Sequence, residues 1–308
     1  MPYFNTIDDT QLFYSVWGDG HPIVFVHGNN IGSDMWTFQI PHLTANGYQC
    51  ISYDQRGFAR SDCPRSGYDI DTLAHDLNCF LKHVNQPKVT VVAFSVGAGV
   101  LARYLSLYGT GNVDRVILIS TVTPCFLKTE DNPEGMDREV AYEPFRAGLI
   151  RDRPQLLRDS LDAFFNPASA ENPISEGIRE WVLASAMQNP LIPMLEYARI
   201  SSETDFRQDM RSFTIPTLII HGDSDGVAPP SVTGFRTHKM IAQSEFVSYS
   251  GASHGLLFTH HDRLNRQIAD FVAVRTNESD PSRRSLASQS GECLLKPVGR
   301  VAGRLEEV

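Results

Sequence analysis

The stretch VTVVAFSVGAGVLARYLSLY, residues 89–108, joins an apolar, β-branched run to a helix-forming run at one serine, Ser95. A short continuous apolar run suits a strand buried on both faces of a parallel sheet. A strand that turns at once into a helix is the setting of a nucleophile elbow. There, strain lifts a serine hydroxyl clear of the sheet, and the helix N-terminus behind it favours negative charge. The usual pattern is G-x-S-x-G; here Ala93 stands at the first glycine position and Gly97 keeps the second. Both positions need small side chains because neighbouring backbone passes close, and alanine tightens the turn without blocking it. On this stretch alone two roles compete for Ser95, a nucleophile or a serine that caps the helix.

Outward from the elbow, the same alternation continues. QLFYSVWG (11–18), IVFVHG (23–28), CISYDQRG (50–57), VILIS (116–120), TLIIHG (217–222) and EFVSYSG (245–251) read as further strands. Helical patterns fall at roughly 34–46, 70–84, 97–108 and 260–274. Strands alternating with helices predict an α/β fold with a mostly parallel central sheet, flanking helices and right-handed crossovers.

One interval breaks the rhythm. Residues 121–216 separate VILIS from TLIIHG, far more than an ordinary connection needs. REVAYEPFRAGLI, PQLLRDSLDAFF, EGIREWVLASAMQ and PMLEYARI within it all read as helical, so a helical cap inserted into the sheet domain is expected. The predicted organisation is a core at 1–124, the cap at 125–210, the rest of the core at 211–275 and a flexible tail at 276–308, rich in Ser, Arg and Gly. Cap side chains such as Tyr142, Phe145, Phe164, Phe165, Trp181, Met187 and Met194 either line a pocket or form the cap's own core. Phe145 and Trp181 are carried forward as candidate substrate contacts.

A serine nucleophile needs a base, and the base an orienting acid. Both are expected at strand ends. In SYSGASHGLLF (248–258), His254 alone among the histidines follows the last predicted strand in a small-residue loop. TLIIHGDSDGVAPP (217–230) offers Asp223 and Asp225. Asp223 directly follows the strand and suits local backbone bonding; Asp225 lies further into the loop and is preferred. His27 and His221 read as structural. His260 and His261 read as the solvated first turn of a helix rather than metal ligands. The developing oxyanion needs donors, which by position are the backbone N–H groups of Val96 and of Asn29 in VFVHGNNIGSDMW (24–36). Asn30 is a turn former or a substrate contact.

Composition narrows the classes. A net charge of −9 with no basic stripe argues against nucleic acid and anionic membranes. No apolar run is long enough to span a bilayer. Five cysteines, Cys50, Cys63, Cys79, Cys125 and Cys293, without a C-x-x-C pair, argue against a disulfide framework or a zinc cluster. A cytoplasmic location is expected.

Taken together, VFVHG, SYDQRGFARSD, AFSVGAG, SSETDFRQDMRSFTIPTLIIHGDSDGVAPP and SGASHGLLFTHHDRLN resemble the α/β-hydrolase superfamily. Over roughly residues 3–273 the chain is most similar to its branch of cofactor-free haloperoxidases, perhydrolases and aryl esterases. The resemblance implies Ser95, Asp225 and His254 as triad and Asn29 and Val96 as oxyanion donors, the residues reached above. Ala93 and Ala59 depart from glycines of that pattern, and Asn29 stands where the branch carries a bulky aromatic beside the acyl pocket.

The expected activity is hydrolysis of a carboxylic ester or lactone of moderate size with apolar or aromatic groups. No metal or organic cofactor is required. Hydrolysis of a diketone carbon–carbon bond and a biosynthetic tailoring reaction use the same triad and stay open. A different class, a small-lactone receptor that retains the triad, is the remaining alternative. Epoxide hydrolysis and dehalogenation need a carboxylate nucleophile, which Ser95 is not.

Overall fold

The apolar runs assemble into one eight-stranded sheet in the computed structural model of the chain, which describes residues 2–273. The predicted tail and Cys293 lie outside the described residues. The strands are β1 (Tyr3–Asn5), β2 (Gln11–Trp17), β3 (His21–Val26), β4 (Tyr48–Tyr53), β5 (Val89–Phe94), β6 (Val113–Ile119), β7 (Thr217–Gly222) and β8 (Ser244–Tyr249). Their order across the sheet is β1-β2-β4-β3-β5-β6-β7-β8. Only the β1–β2 and β2–β4 pairs are antiparallel, so the sheet is mostly parallel, as the alternation predicts.

The elbow strand sits mid-sheet. All of β5 is buried, and each Val or Phe placed there contributes about 1.5–3 kcal/mol. Ala93 pairs with Val26 on one side and Leu118 on the other. Its methyl is fully buried there. At the far edge, β8 is half-exposed rather than buried on both faces.

The helices are α1 (Gln39–Ala45), α2 (Ile70–Val84), α3 (Val96–Tyr108), α4 (Arg138–Ala141), α5 (Glu143–Phe165), α6 (Glu176–Gln188), α7 (Leu191–Glu203), α8 (Gly234–Met240), α9 (Leu256–Thr259) and α10 (His261–Ala273). Local signals set their ends. Asp69 caps α2 by accepting from Thr72 N–H, and Ser175 caps α6 by accepting from Ile178 N–H. Four helices, α4 to α7, fill the long interval between β6 and β7. Helix α5 kinks at Asp152, just before Pro154, whose ring a continuous helix does not accommodate. The chain up to Ala269 forms one compact unit, and no helix among the described residues is long and apolar enough to cross a membrane.

Two local expectations are corrected. The helix expected over 34–46 is split into a 3-10 turn, Ser33–Trp36, and α1. A continuous helix would set the Pro41 ring against the carbonyl of residue 37, and restarting at Gln39 moves Pro41 into a first turn. The helix expected at 260–274 is present as α10, His261–Ala273, but the single turn of α9 precedes it and the two break at His260. That break turns His260 inward. It is 1% exposed, shares a 2.8 Å hydrogen bond with Thr259 Oγ1, and burial holds its pKa below the ordinary histidine value. It is not part of a solvated turn. Finally, β1 and α8 carry no pattern strong enough to have been anticipated.

Candidate active site

Parallel strands deliver their C-terminal ends to one edge of the sheet, where ligands of open α/β folds gather. Ser95 follows β5, the Asn29 loop follows β3 next to it, and the Asp225 and His254 loops follow β7 and β8 on the other side. Topology therefore sets Ser95 between one loop rich in backbone donors and two loops carrying an acid and an imidazole.

Ser95 adopts φ 54° and ψ −123°. This conformation costs a non-glycine residue on the order of 1–3 kcal/mol and persists only where surroundings enforce it. Its N–H donates to Ile119 O at 3.0 Å, and its carbonyl accepts from Ala98 N–H at 3.0 Å. Gly97 explains the motif's second small position, because a Cβ there would lie 2.6 Å from His27 O and 2.8 Å from Val26 O.

Ser95 Oγ lies 3.0 Å from His254 Nε2, and His254 Nδ1 lies 2.8 Å from Asp225 Oδ2. All three side chains are buried. Asp225 is held from four directions. Oδ1 accepts from Val227 and Ala228 N–H at 2.9 and 2.8 Å; Oδ2 accepts from His254 and from His221 Nε2, the latter at 3.1 Å. Burial alone would raise its pKa, but the charge His254 can carry and the bonds from His221 and His254 outweigh burial and hold the carboxyl far below its usual range. An ionised Asp225 fixes the proton of His254 on Nδ1 and leaves Nε2 free to accept from Ser95. Asp223 is exposed and accepts instead from Gly251 N–H at 2.7 Å, so it braces the turn after β8.

His254 is fixed from several sides. Its ring packs 4.9 Å from Phe94 and 6.1 Å from Phe164. Its carbonyl accepts from Ser120 Oγ at 3.2 Å. The next residue, Gly255, donates its N–H to Phe164 O of α5 at 2.8 Å, and Ser253 Oγ donates to Ala163 O. Sequence patterns flag neither Ser120 nor the second imidazole on Asp225, since both act through contacts made only in the fold. His27 is structural. Its Nε2 accepts from Gln55 N–H at 2.8 Å while Nδ1 donates to Gly28 O at 2.6 Å.

Val96 opens α3, so its N–H belongs to the helix-start donors that have no partner within the helix. Asn29 lies in the loop after β3, where its Nδ2 donates to Met194 O of α7 at 3.3 Å and its Oδ1 accepts from Asn30 N–H at 2.9 Å.

A cavity of about 400 Å³ opens over Ser95 and His254. Phe126, Met136, Tyr142, Phe145, Phe164 and Val227 supply much of its apolar wall, and none of its lining residues is Asp, Glu, Lys or Arg. Asn29 and Asn30 line it too, and Asn30 Oδ1 is buried without a hydrogen-bond partner. A smaller apolar cavity of about 70 Å³ adjoins it, sharing Asn29, Asn30, Phe94, Ser160 and Phe164 and closed by Leu157, Leu161, Val182 and Leu183. Phe145 lines the larger cavity together with Ser95. Trp181 does not; it lines a separate cleft with Trp17 and Trp36 and packs edge-on to Phe258. Phe165 and Met194 are buried in the interior.

Comparison with known proteins places the chain in a family. A profile of the alpha/beta hydrolase fold matches residues 21–261, and the chain belongs to that family. A non-heme chloroperoxidase of Kitasatospora aureofaciens is 35% identical over 274 residues, covering 88% of this chain and 99% of that protein. A bifunctional esterase/perhydrolase of Acinetobacter calcoaceticus is 28% identical over 275 residues, 88% of this chain and 99% of its own. The crystal structure of a bromoperoxidase from Bacillus anthracis superposes with a TM-score of 0.84 at 36% identity, covering 88% of this chain and all (100%) of that one.

Proposed function

We propose that this protein is a serine hydrolase of neutral carboxylic esters or lactones of moderate size, working through an acyl-enzyme on Ser95. The observation that carries the reading is the unbroken line from Ser95 Oγ through His254 to Asp225, at 3.0 and 2.8 Å, on a serine held at positive φ. His254 Nε2 takes the proton as Ser95 Oγ attacks the carbonyl carbon. Asp225 keeps the reactive tautomer and stabilises the imidazolium. The N–H groups of Val96 and Asn29 receive the oxygen that becomes negative. His254 then gives its proton to the leaving alcohol, and in the second half-reaction it activates water to cleave the acyl-enzyme. None of these steps requires a metal or an organic cofactor.

Two features support the substrate class. A wall without formal charges beyond the imidazole disfavours ionised substrates, because desolvating a charge there would go uncompensated. The two adjoining cavities meet at Asn29, Asn30, Phe94 and Phe164, beside the nucleophile. In this arrangement the small cavity takes a short apolar part of the substrate and the large one its bulkier part. Helices α4 to α7, within residues 125–210, act as the cap. The esterase activity in the name of the Acinetobacter relative agrees with this class.

The test is intact-mass analysis after exposure to a fluorophosphonate, with Ser95→Ala in parallel. One adduct on wild type and none on the folded variant is expected, together with loss of nearly all ester hydrolysis. An unlabelled wild-type protein, or a Ser95→Ala variant keeping more than about a tenth of the rate, would overturn the proposal, since such residues act as a unit worth orders of magnitude.

A further inference from the structure

Asn189 joins three parts of the molecule that are remote in sequence. It ends α6 in extended conformation, just before Pro190, and is only 2% exposed. Its Oδ1 accepts from Ala59 N–H at 2.9 Å. Its Nδ2 donates to Asn30 O and, at 3.1 Å, to Ser185 O. The partners fix the amide's orientation, because one is an N–H donor and the other two are carbonyls.

Both remote partners are strained backbone. Asn30 has φ 80° and Ala59 φ 48°, the left-handed region that non-glycine residues avoid. The amide therefore grips both core turns at their positive-φ residues. Asn189 is in turn fixed by Arg153 of α5, whose guanidinium donates to Asn189 O and, at 3.2 Å, to Met187 O. A second tie runs the other way, from Asn29 Nδ2 to Met194 O. The Asn29–Asn30 turn is thus tied to the inserted helices at two points, the Asn29 side chain and the Asn30 carbonyl.

We propose that Asn189 is a positioning residue for the oxyanion loop. By holding Asn30 O, at the far end of the turn that Asn29 begins, it limits how that turn can rotate and so the aim of the Asn29 N–H at the developing negative charge. Asn189 touches neither substrate nor reacting atoms in this role. The inference rests on the acyl-transfer reading of Ser95.

The near-isosteric Asn189→Asp variant tests it. It keeps the acceptor for Ala59 N–H but turns the donor facing Asn30 O into a second acceptor, which pushes that carbonyl away. Losing an oxyanion donor outright lowers kcat by about 10²–10³-fold, so a misaimed one should cost about 10–100-fold. On a 4-nitrophenyl ester we expect kcat to fall in that range with KM within about twofold, the pattern of an interaction made only in the transition state. Fluorophosphonate inactivation should slow by a similar factor, because its P=O uses the same donors. A raised KM at unchanged kcat, or wild-type values throughout, would mean a tie between helices and core only and would overturn the proposal. Should the aspartate variant not fold, Asn189→Ala is judged by the same split. The parent reading fails separately: active Ser95→Ala sinks both, whereas inactive Ser95→Ala beside a fully active Asn189→Asp sinks this inference alone.

Discussion

Replacing Asp225 by asparagine changes charge and proton placement while preserving shape. The two backbone N–H groups of Val227 and Ala228, at 2.9 and 2.8 Å, will hold the asparagine carbonyl where Oδ1 stood. Its NH2 group then replaces Oδ2, 2.8 Å from His254 Nδ1 and 3.1 Å from His221 Nε2. A donor at that point forces His254 to accept on Nδ1 and to carry its proton on Nε2. That nitrogen must be bare to take the Ser95 proton. The imidazolium formed on attack also loses its counter-charge. The equivalent change in a well-studied serine protease lowers kcat about 10⁴-fold, or about 5.5 kcal/mol at the transition state. A loss of that order is expected here. Asp223→Asn keeps an acceptor for Gly251 N–H and should stay within about twofold of wild type. The assay is kcat on a 4-nitrophenyl ester for both variants, with thermal melts to show that each is folded. If Asp225→Asn kept more than a tenth of wild-type turnover, or if Asp223→Asn lost as much, the assignment of the acid would be wrong.

Gly97→Ala should disable the elbow, since its new methyl would meet the carbonyls of His27 and Val26 at 2.6 and 2.8 Å. We expect about 1–3 kcal/mol of lost stability and markedly slower fluorophosphonate labelling; a variant that melts and labels like wild type would contradict the close approach. The stability of the wild-type protein should fall as the pH drops below about 6.5, the ordinary histidine value. Burial depresses the folded-state pKa of His27 and of His260, so the unfolded chain binds more protons in that window and stability decreases towards acid. The fully buried His27 contributes at most about 1.4 kcal/mol per pH unit, and urea melts at pH 7.5 and 5.5 measure the sum. Stability that held steady or rose between those two values would show that neither ring is kept neutral by the fold.

The parts of the fold and site that were legible share one property: each is written in local pattern. Strand followed by small-residue loop marks the positions of Ser95, Asp225, His254 and Asn29, and parallel topology then brings them to one edge without further instruction. That Asp225 rather than Asp223 reaches His254 was readable from distance along the loop. Trp181 was not legible, because an aromatic on a helix does not declare its direction. Val182, Leu183 and Ala186 of α6 face the small cavity, and successive helical residues differ by about 100°, so Trp181 points elsewhere. Asn189 was invisible for a different reason. Its partners lie 130 and 159 residues away, and Asn-Pro after a helical run reads only as a stop signal.

The distribution of ties between core and inserted helices bears on how substrate reaches Ser95. On one side of the serine, the loop after β3 is bonded to α6 and α7 through Asn189 and Asn29. On the other, the His254 loop is bonded to the end of α5 through Gly255 and Ser253. Lifting the helices as a body would break both sets together and disorganise the donors and the imidazole at once. The cavity already has an open side, marked by Val140 and Val227, 69% and 47% exposed. A route past these two residues leaves all four ties intact. Substrate binding then orders nothing that the fold has not already ordered, and binding energy remains for the transition state rather than for rebuilding the site. On the proposed acyl-transfer reading, the same ties make the inserted helices part of the reaction's geometry as well as a wall of its pocket.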